Sequence, residues 1–161
     1  MTDTSAKDDA YPLMVAFVRD RPFELPESLL LSVFRELEQR AEPGTLRAWC
    51  HLFGKVWAGD AADQFAAAQD LATLNELVNK FWSVNRWGWA QLREVEDGLQ
   101  VTHSGAPISG DSAARHLHWS CGLLEGFYEA IFKQLGADDS MKVRIEGASD
   151  DHFALTLRLS A

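Results

Sequence analysis

The sequence predicts an α+β domain: N-terminal helices and one long C-terminal helix packed on a four-stranded antiparallel sheet made of two hairpins. Three observations carry this. Apolar residues recur at helical spacing through the first half of the 161-residue chain. The period shifts to two on either side of Glu96-Asp97-Gly98. It shifts to two again from Met141 onward, after a long helical seam.

The elements follow in order. Residues 1–10 are polar and read as a flexible tail, leaving 11–161 as one domain. Tyr11 to Val18 is a short apolar segment, broken by Asp20-Arg21-Pro22. Pro26 suits the first position of a helix. After it Leu30, Val33, Phe34, Leu37 and Ala41 share one face, and Pro43-Gly44 is expected to end the run. Thr45 is expected to cap a second helix with a stripe of Leu46, Trp49, Phe53, Val56 and Trp57, stopped by Gly59-Asp60. A third helical pattern runs from Ala61 to Val84, with Phe65, Ala68, Leu71, Leu74, Val78 and Phe81 inward.

Trp87 to Val95 and Leu99 to His103 then flank Asp97-Gly98, a pair that supplies the positive φ angles of a tight hairpin turn. With those two residues as the turn, Glu96 faces Leu99. Ala90, Leu92, Leu99, Val101 and His103 share a core face. Trp87, Trp89, Gln91, Arg93, Gln100 and Thr102 share the other, where two indoles beside polar groups suit a wet interface or a ligand platform. Asp111 or Ser112 can cap the long helix. Its seam is Leu117, Cys121, Leu124, Tyr128, Ile131 and Leu135, widened by Leu123, Phe127 and Ala130, with Gly136 at the C-terminal cap. Met141, Val143 and Ile145, then Phe153, Leu155, Leu157 and Leu159, alternate with polar residues around Ser149-Asp150-Asp151, the mark of a hairpin buried on one face.

Composition narrows the function. Lys and Arg number 15 against 24 Asp and Glu, a formal charge of -9. Such a field repels nucleic acid and anionic membrane surfaces, and no Lys/Arg cluster is visible in the sequence. A neutral polymer or a protein partner fits better. No apolar run approaches the roughly 20 residues of a membrane span, and no secretion signal is readable. The expected location is cytoplasmic, with Cys50 and Cys121 reduced; the periplasm is the alternative.

Catalytic chemistry finds little support. No metal-binding His pair, GxSxG elbow, Walker loop or GxGxxG occurs. His116 and His118 point about 200° apart on a helix and cannot share a metal. His103 reads as a hydrogen-bonded structural histidine before a ligand, and Cys121 as a buried thiol. The expectation is a non-enzyme without cofactors. Gly122 and Gly126 stand out, because each costs a helix about 1 kcal/mol against Ala. They allow a close backbone approach, either within this chain or from another subunit. Six tryptophans are an excess; Trp87, Trp89 and Trp119 are candidates for stacking on sugar rings, or for core and interface positions.

From Leu71 to Leu159 the chain resembles the D subunit of bacterial cellulose synthase. The resemblance rests on a helix ending before Trp87-Gly88 and a hairpin closing with Val101-Thr102-His103. A loop with proline, a helix carrying Leu124-Glu125-Gly126-Phe127-Tyr128 and a terminal strand pair follow in order. The helix from Pro26 to Ala41 matches too, whereas Glu42 to Gln69 and the N-terminal arm match poorly. The resemblance implies a small non-catalytic accessory subunit that forms a dimer-based octamer. It helps to export, align or crystallise β-1,4-glucan chains for the biofilm, or acts as a cytosolic scaffold beside the membrane synthase and a proline-rich partner. On this reading Trp87, Trp89, Gly122, Gly126, Phe127 and Tyr128 serve assembly or packing, and Tyr11 is a candidate for glucan contact. A rival reading is a small-molecule sensor of the 4-vinyl-reductase type, which requires a closed cavity lined by Leu124, Tyr128 and Phe153.

Overall fold

The computed structural model describes residues 27–106, 113–150 and 153–161. Tyr11 and its segment, Pro26, and the caps expected at Asp111 and Ser112 lie outside them. The chain divides into two units at Val33/Phe34, and the architecture below is that of the second. Its elements are α1 (Glu27–Arg40, which crosses the division), α2 (Pro43–Asp60), α3 (Ala62–Phe65), α4 (Leu71–Asn85), β1 (Trp89–Val95), β2 (Gly98–Ser104), α5 (Ala113–Gln134), β3 (Lys142–Ala148) and β4 (Ala154–Ser160). The four strands form one antiparallel sheet in the order β1-β2-β4-β3. This is the α+β arrangement that the two patterns of periodicity predict.

Helix ends depart from expectation at two points. α1 stops at Arg40, before Pro43 as expected, and Pro43 in turn opens α2 from the first position, where its missing N–H costs nothing. Glu42 occupies the cap position and makes no side-chain cap bond, so Thr45 is not the cap. The pattern from Ala61 to Val84 is two helices, because the Asp70 side chain accepts the Thr73 N–H at 2.7 Å and starts α4 afresh. Phe65, Leu74, Val78 and Phe81 are buried as expected. At the far end of α5, Ala137 donates to the Phe132 carbonyl and Gly136 takes φ +100°, the expected glycine cap.

The first hairpin has a different register. Val95 faces Gly98 and Glu94 faces Leu99, so the turn residues are Glu96 and Asp97, not Asp97 and Gly98. Gly98 has φ +154° and lies so close to the Leu159 carbonyl of β4 that a Cβ would overlap it. The slip moves each partner by two residues and therefore keeps every side chain on its predicted face. Trp87 is the exception. Arg86 caps α4 in the left-handed conformation, Trp87 N–H donates to the Trp82 carbonyl at 2.9 Å, and Gly88 turns at φ +88° before β1 begins at Trp89. Trp87 is thereby separated from Trp89 and buried.

Polar side chains from helices pair part of each sheet edge among the described residues. On β1, Ala90 N–H donates to Asn79 Oδ1 at 2.7 Å and the Ala90 carbonyl accepts Asn79 Nδ2 at 2.8 Å, while Leu92 N–H donates to Asn75 Oδ1 at 2.9 Å. Residues four apart on a helix rise about 6 Å, close to the step between alternate strand residues, so two asparagines serve one edge. On β3, Ile145 N–H donates to Glu125 Oε1 at 2.9 Å beside a bulge between Ile145 and Gly147. These bonds take up edge amides on which strands of other chains could add.

Candidate functional site

Among the described residues, α2 and α5 cross in the most extensive helix–helix contact. Gly122 and Gly126 lie against α2, not against solvent. A Cβ at Gly122 would stand 3.2 Å from the Arg47 carbonyl carbon, and one at Gly126 would stand 2.7 Å from that of His51. Gly54 reciprocates from α2: its Cβ would come within 2.8 Å of Phe127 N. The buried side of α2 is accordingly small, with Cys50, Gly54 and Ala58 beside Leu46. The expected inward stripe of this helix is therefore corrected. Leu46 is buried and Trp57 half-buried, but Trp49, Phe53 and Val56 face outward with Leu52. The glycine seam brings the backbones together, and large residues on that side would hold them apart.

Aromatic rings fill the space beside the crossing. Trp82, Phe127 and Tyr128 are fully buried and Trp87 nearly so. The Trp82 and Phe127 rings stand 4.4 Å apart, and Trp57 meets Trp87 edge-on at 5.3 Å. Trp119 stacks on Phe34 at 4.3 Å. Buried Trp87 and Trp119 offer no ring face to a sugar; Trp89, half-exposed, does.

A chain of hydrogen bonds runs through this core. Trp82 Nε1–H donates to the Tyr128 hydroxyl at 2.9 Å, the hydroxyl lies 2.8 Å from His103 Nδ1, and His103 Nε2 lies 2.8 Å from the Trp87 carbonyl. A carbonyl only accepts, so Nε2 carries the proton and Tyr128 donates to Nδ1. Every member is satisfied. Burial lowers the His103 pKa to about 4 against the opposing pull of the Trp87 carbonyl, and burial raises that of Tyr128. His103 is a structural histidine that ties β2 and α5 to the bend before β1.

Two carboxylates on α5 organise its other side. Glu125 is almost fully buried and takes a two-pronged contact from Arg47, at 2.6 and 3.2 Å, as well as the Ile145 amide. One turn on, Glu129 is buried among cations. Lys55 lies at 2.9 Å, Lys133 and Lys142 at 3.4 Å, and Arg144 at 4.0 Å. Burial would raise the Glu129 pKa, but the Lys55 hydrogen bond and the surrounding charges outweigh it and hold it at about 2. His51 Nε2 stands 3.6 Å from Glu129 Oε2, too far for a hydrogen bond, and burial keeps its pKa below the usual value. The sequence shows no basic cluster because these cations come from α2, α5 and β3; only the helical offset from Glu125 to Glu129 hints at it.

These groups are structural in their geometry. Among the described residues no three His, Cys, Asp or Glu side chains come together as a metal site. Both thiols are buried and free, with pKa values pushed by burial to about 12 for Cys50 and about 11 for Cys121. An open groove of about 350 Å³ lies between α4, the end of α5 and the sheet, lined by Leu71, Leu74, Glu94, Leu99, Phe132 and Leu159 among others. It contains none of Leu124, Tyr128 and Phe153: the first two are packed in the core, and Phe153 is exposed. Apolar surface is instead presented outward, by α2 and by Trp89. On the sheet's wet face Trp89 neighbours a polar row in which Arg93 donates to Gln100 at 2.7 Å, Gln100 donates to Glu146 at 3.1 Å, and Arg158 pairs with Glu146 and Asp97.

Among the described residues no helix is long and apolar enough to cross a membrane. The family model that describes the D subunit of cellulose synthase matches residues 26–160. No curated protein matches the chain.

Proposed function

Since this chain belongs to the family of the cellulose synthase D subunit, with an accessory role in cellulose synthesis, we propose that it works as a non-catalytic homo-oligomer beside the membrane synthase, aiding export and alignment of β-1,4-glucan chains. The observation that carries the reading is the match over residues 26–160, which spans every described helix and strand. The chemistry of the fold agrees with it. The titratable groups of the core are spent on holding elements together, and the outward surface is apolar on α2 and acidic overall.

We place it in the cytoplasm, where a reducing environment suits two free buried thiols. Its partners on this reading are further copies of itself, the cellulose synthase complex and a proline-rich accessory protein. Tyr11 remains the candidate for glucan contact, and Trp89 joins it as the exposed indole of the sheet.

The test is co-purification. A tagged copy expressed in a cellulose-producing cell should bring down the synthase complex after gentle detergent extraction. Recovery of the synthase at the level of an untagged control would count against the reading.

A further inference from the structure

We propose that the outward face of α2 is a self-association surface, on which two copies pack antiparallel about a twofold axis near Leu52 and Phe53. The inference rests on the homo-oligomeric reading above and names the surface it uses. Trp49, Leu52, Phe53 and Val56 fall at helical positions i, i+3, i+4 and i+7 and are 47%, 56%, 50% and 56% exposed. They form a second apolar face, about opposite the side that meets α5. Together they present roughly 400 Å² of side chain, the size of an interaction patch and the centre of a contact that buries about 800 Å² per partner.

Charge selects the occupant. The chain carries -9, so most pairings of two copies bring like charges together. The exposed residues of α2 from Gly44 to Gly59 are Gly44, Thr45, Ala48, the four large side chains and Gly59, none of them charged. This face allows two acidic molecules to meet without that penalty. Sheet edges offer no competing route among the described residues at Ala90, Leu92 and Ile145, whose amides are already paired.

The experiment combines mass and cross-linking in the full chain. The Phe53→Cys variant, treated with a short bismaleimide, should give a covalent dimer, and Ser83→Cys, exposed on α4, should not. The double variant Leu52→Glu/Phe53→Glu should scatter light with at most half the wild-type mass and keep the wild-type circular dichroism. If the wild type is itself a single chain, the oligomeric reading falls and this surface with it. If the wild type is oligomeric, Phe53→Cys fails to cross-link and the double variant keeps its mass, the oligomer stands and the α2 face is not its contact. Protection of Phe53→Cys from alkylation by cellohexaose, with no cross-linked dimer, would make the face a glucan surface and overturn the proposal.

Discussion

Replacing Gly126 by alanine sets two effects of opposite sign against each other. In an isolated helix the change stabilises by about 1 kcal/mol. Here the new Cβ would stand 2.7 Å from the His51 carbonyl carbon and overlap the carbonyl oxygen. Carbon atoms pack at about 3.5–4.0 Å, so α2 and α5 must part by about 1 Å. The obstacle is backbone, which has no rotamer to change. Overpacking of this kind costs about 3 kcal/mol, the upper end of its usual range. The net loss is about 2 kcal/mol, or a fall in Tm of roughly 4–8 °C for a domain of this size. Gly59 supplies the control, because a Cβ there meets nothing within 4 Å; Gly59→Ala should be neutral or raise stability by up to about 1 kcal/mol. Urea unfolding followed by fluorescence and circular dichroism, at one protein concentration, measures both. A Gly126→Ala protein as stable as the Gly59→Ala protein would refute the close helix crossing.

Three further outcomes follow from the core. The pKa of His103 falls from about 6.5 in the unfolded chain to about 4 in the fold. Between these values the unfolded state binds the extra proton, so stability falls as pH drops, by about 1.4 kcal/mol per unit and roughly 3 kcal/mol in all; urea midpoints from pH 6 to pH 5 should show a steeper decline in the wild type than in His103→Gln, and equal slopes would contradict the buried neutral imidazole. Asn79→Ala leaves the Ala90 N–H and carbonyl unpaired and should cost about 2 kcal/mol, with faster hydrogen exchange at the Ala90 amide; unchanged exchange would show that the edge is not held by this side chain. Glu129→Gln removes the charge shared by Lys55, Lys133 and Lys142; because the lysines reach solvent, the cost should be about 1–3 kcal/mol in a urea titration, and no loss would mean that the cluster is only a surface arrangement.

Periodicity carries the architecture because it survives small errors of register. The first hairpin is slipped by two residues, yet Ala90, Leu92, Val101 and His103 still face the core. Helix ends are less visible, since Pro43-Gly44 serves equally to stop one helix or to start the next, and the cap at Asp70 sits inside an unbroken apolar pattern. The inward side of α2 is hidden for another reason. Apolar spacing singles out the largest residues, whereas the partner helix selects the smallest: Cys50, Gly54 and Ala58. Gly122 and Gly126 announce a close approach but not the element that makes it. The Glu129 cations and the asparagine edge of β1 join residues distant in sequence, and no local pattern records such pairings.

On the proposed reading, this chain assists cellulose synthesis without performing its chemistry. The direct measurement compares a cellulose-producing strain with and without the chain, scoring cellulose yield and crystallinity in culture and glucan polymerisation by isolated membranes. Removing the chain should give less, or less ordered, cellulose in culture and an unchanged polymerisation rate in membranes. Loss of polymerisation in the membranes, or full cellulose output without the chain, would contradict it.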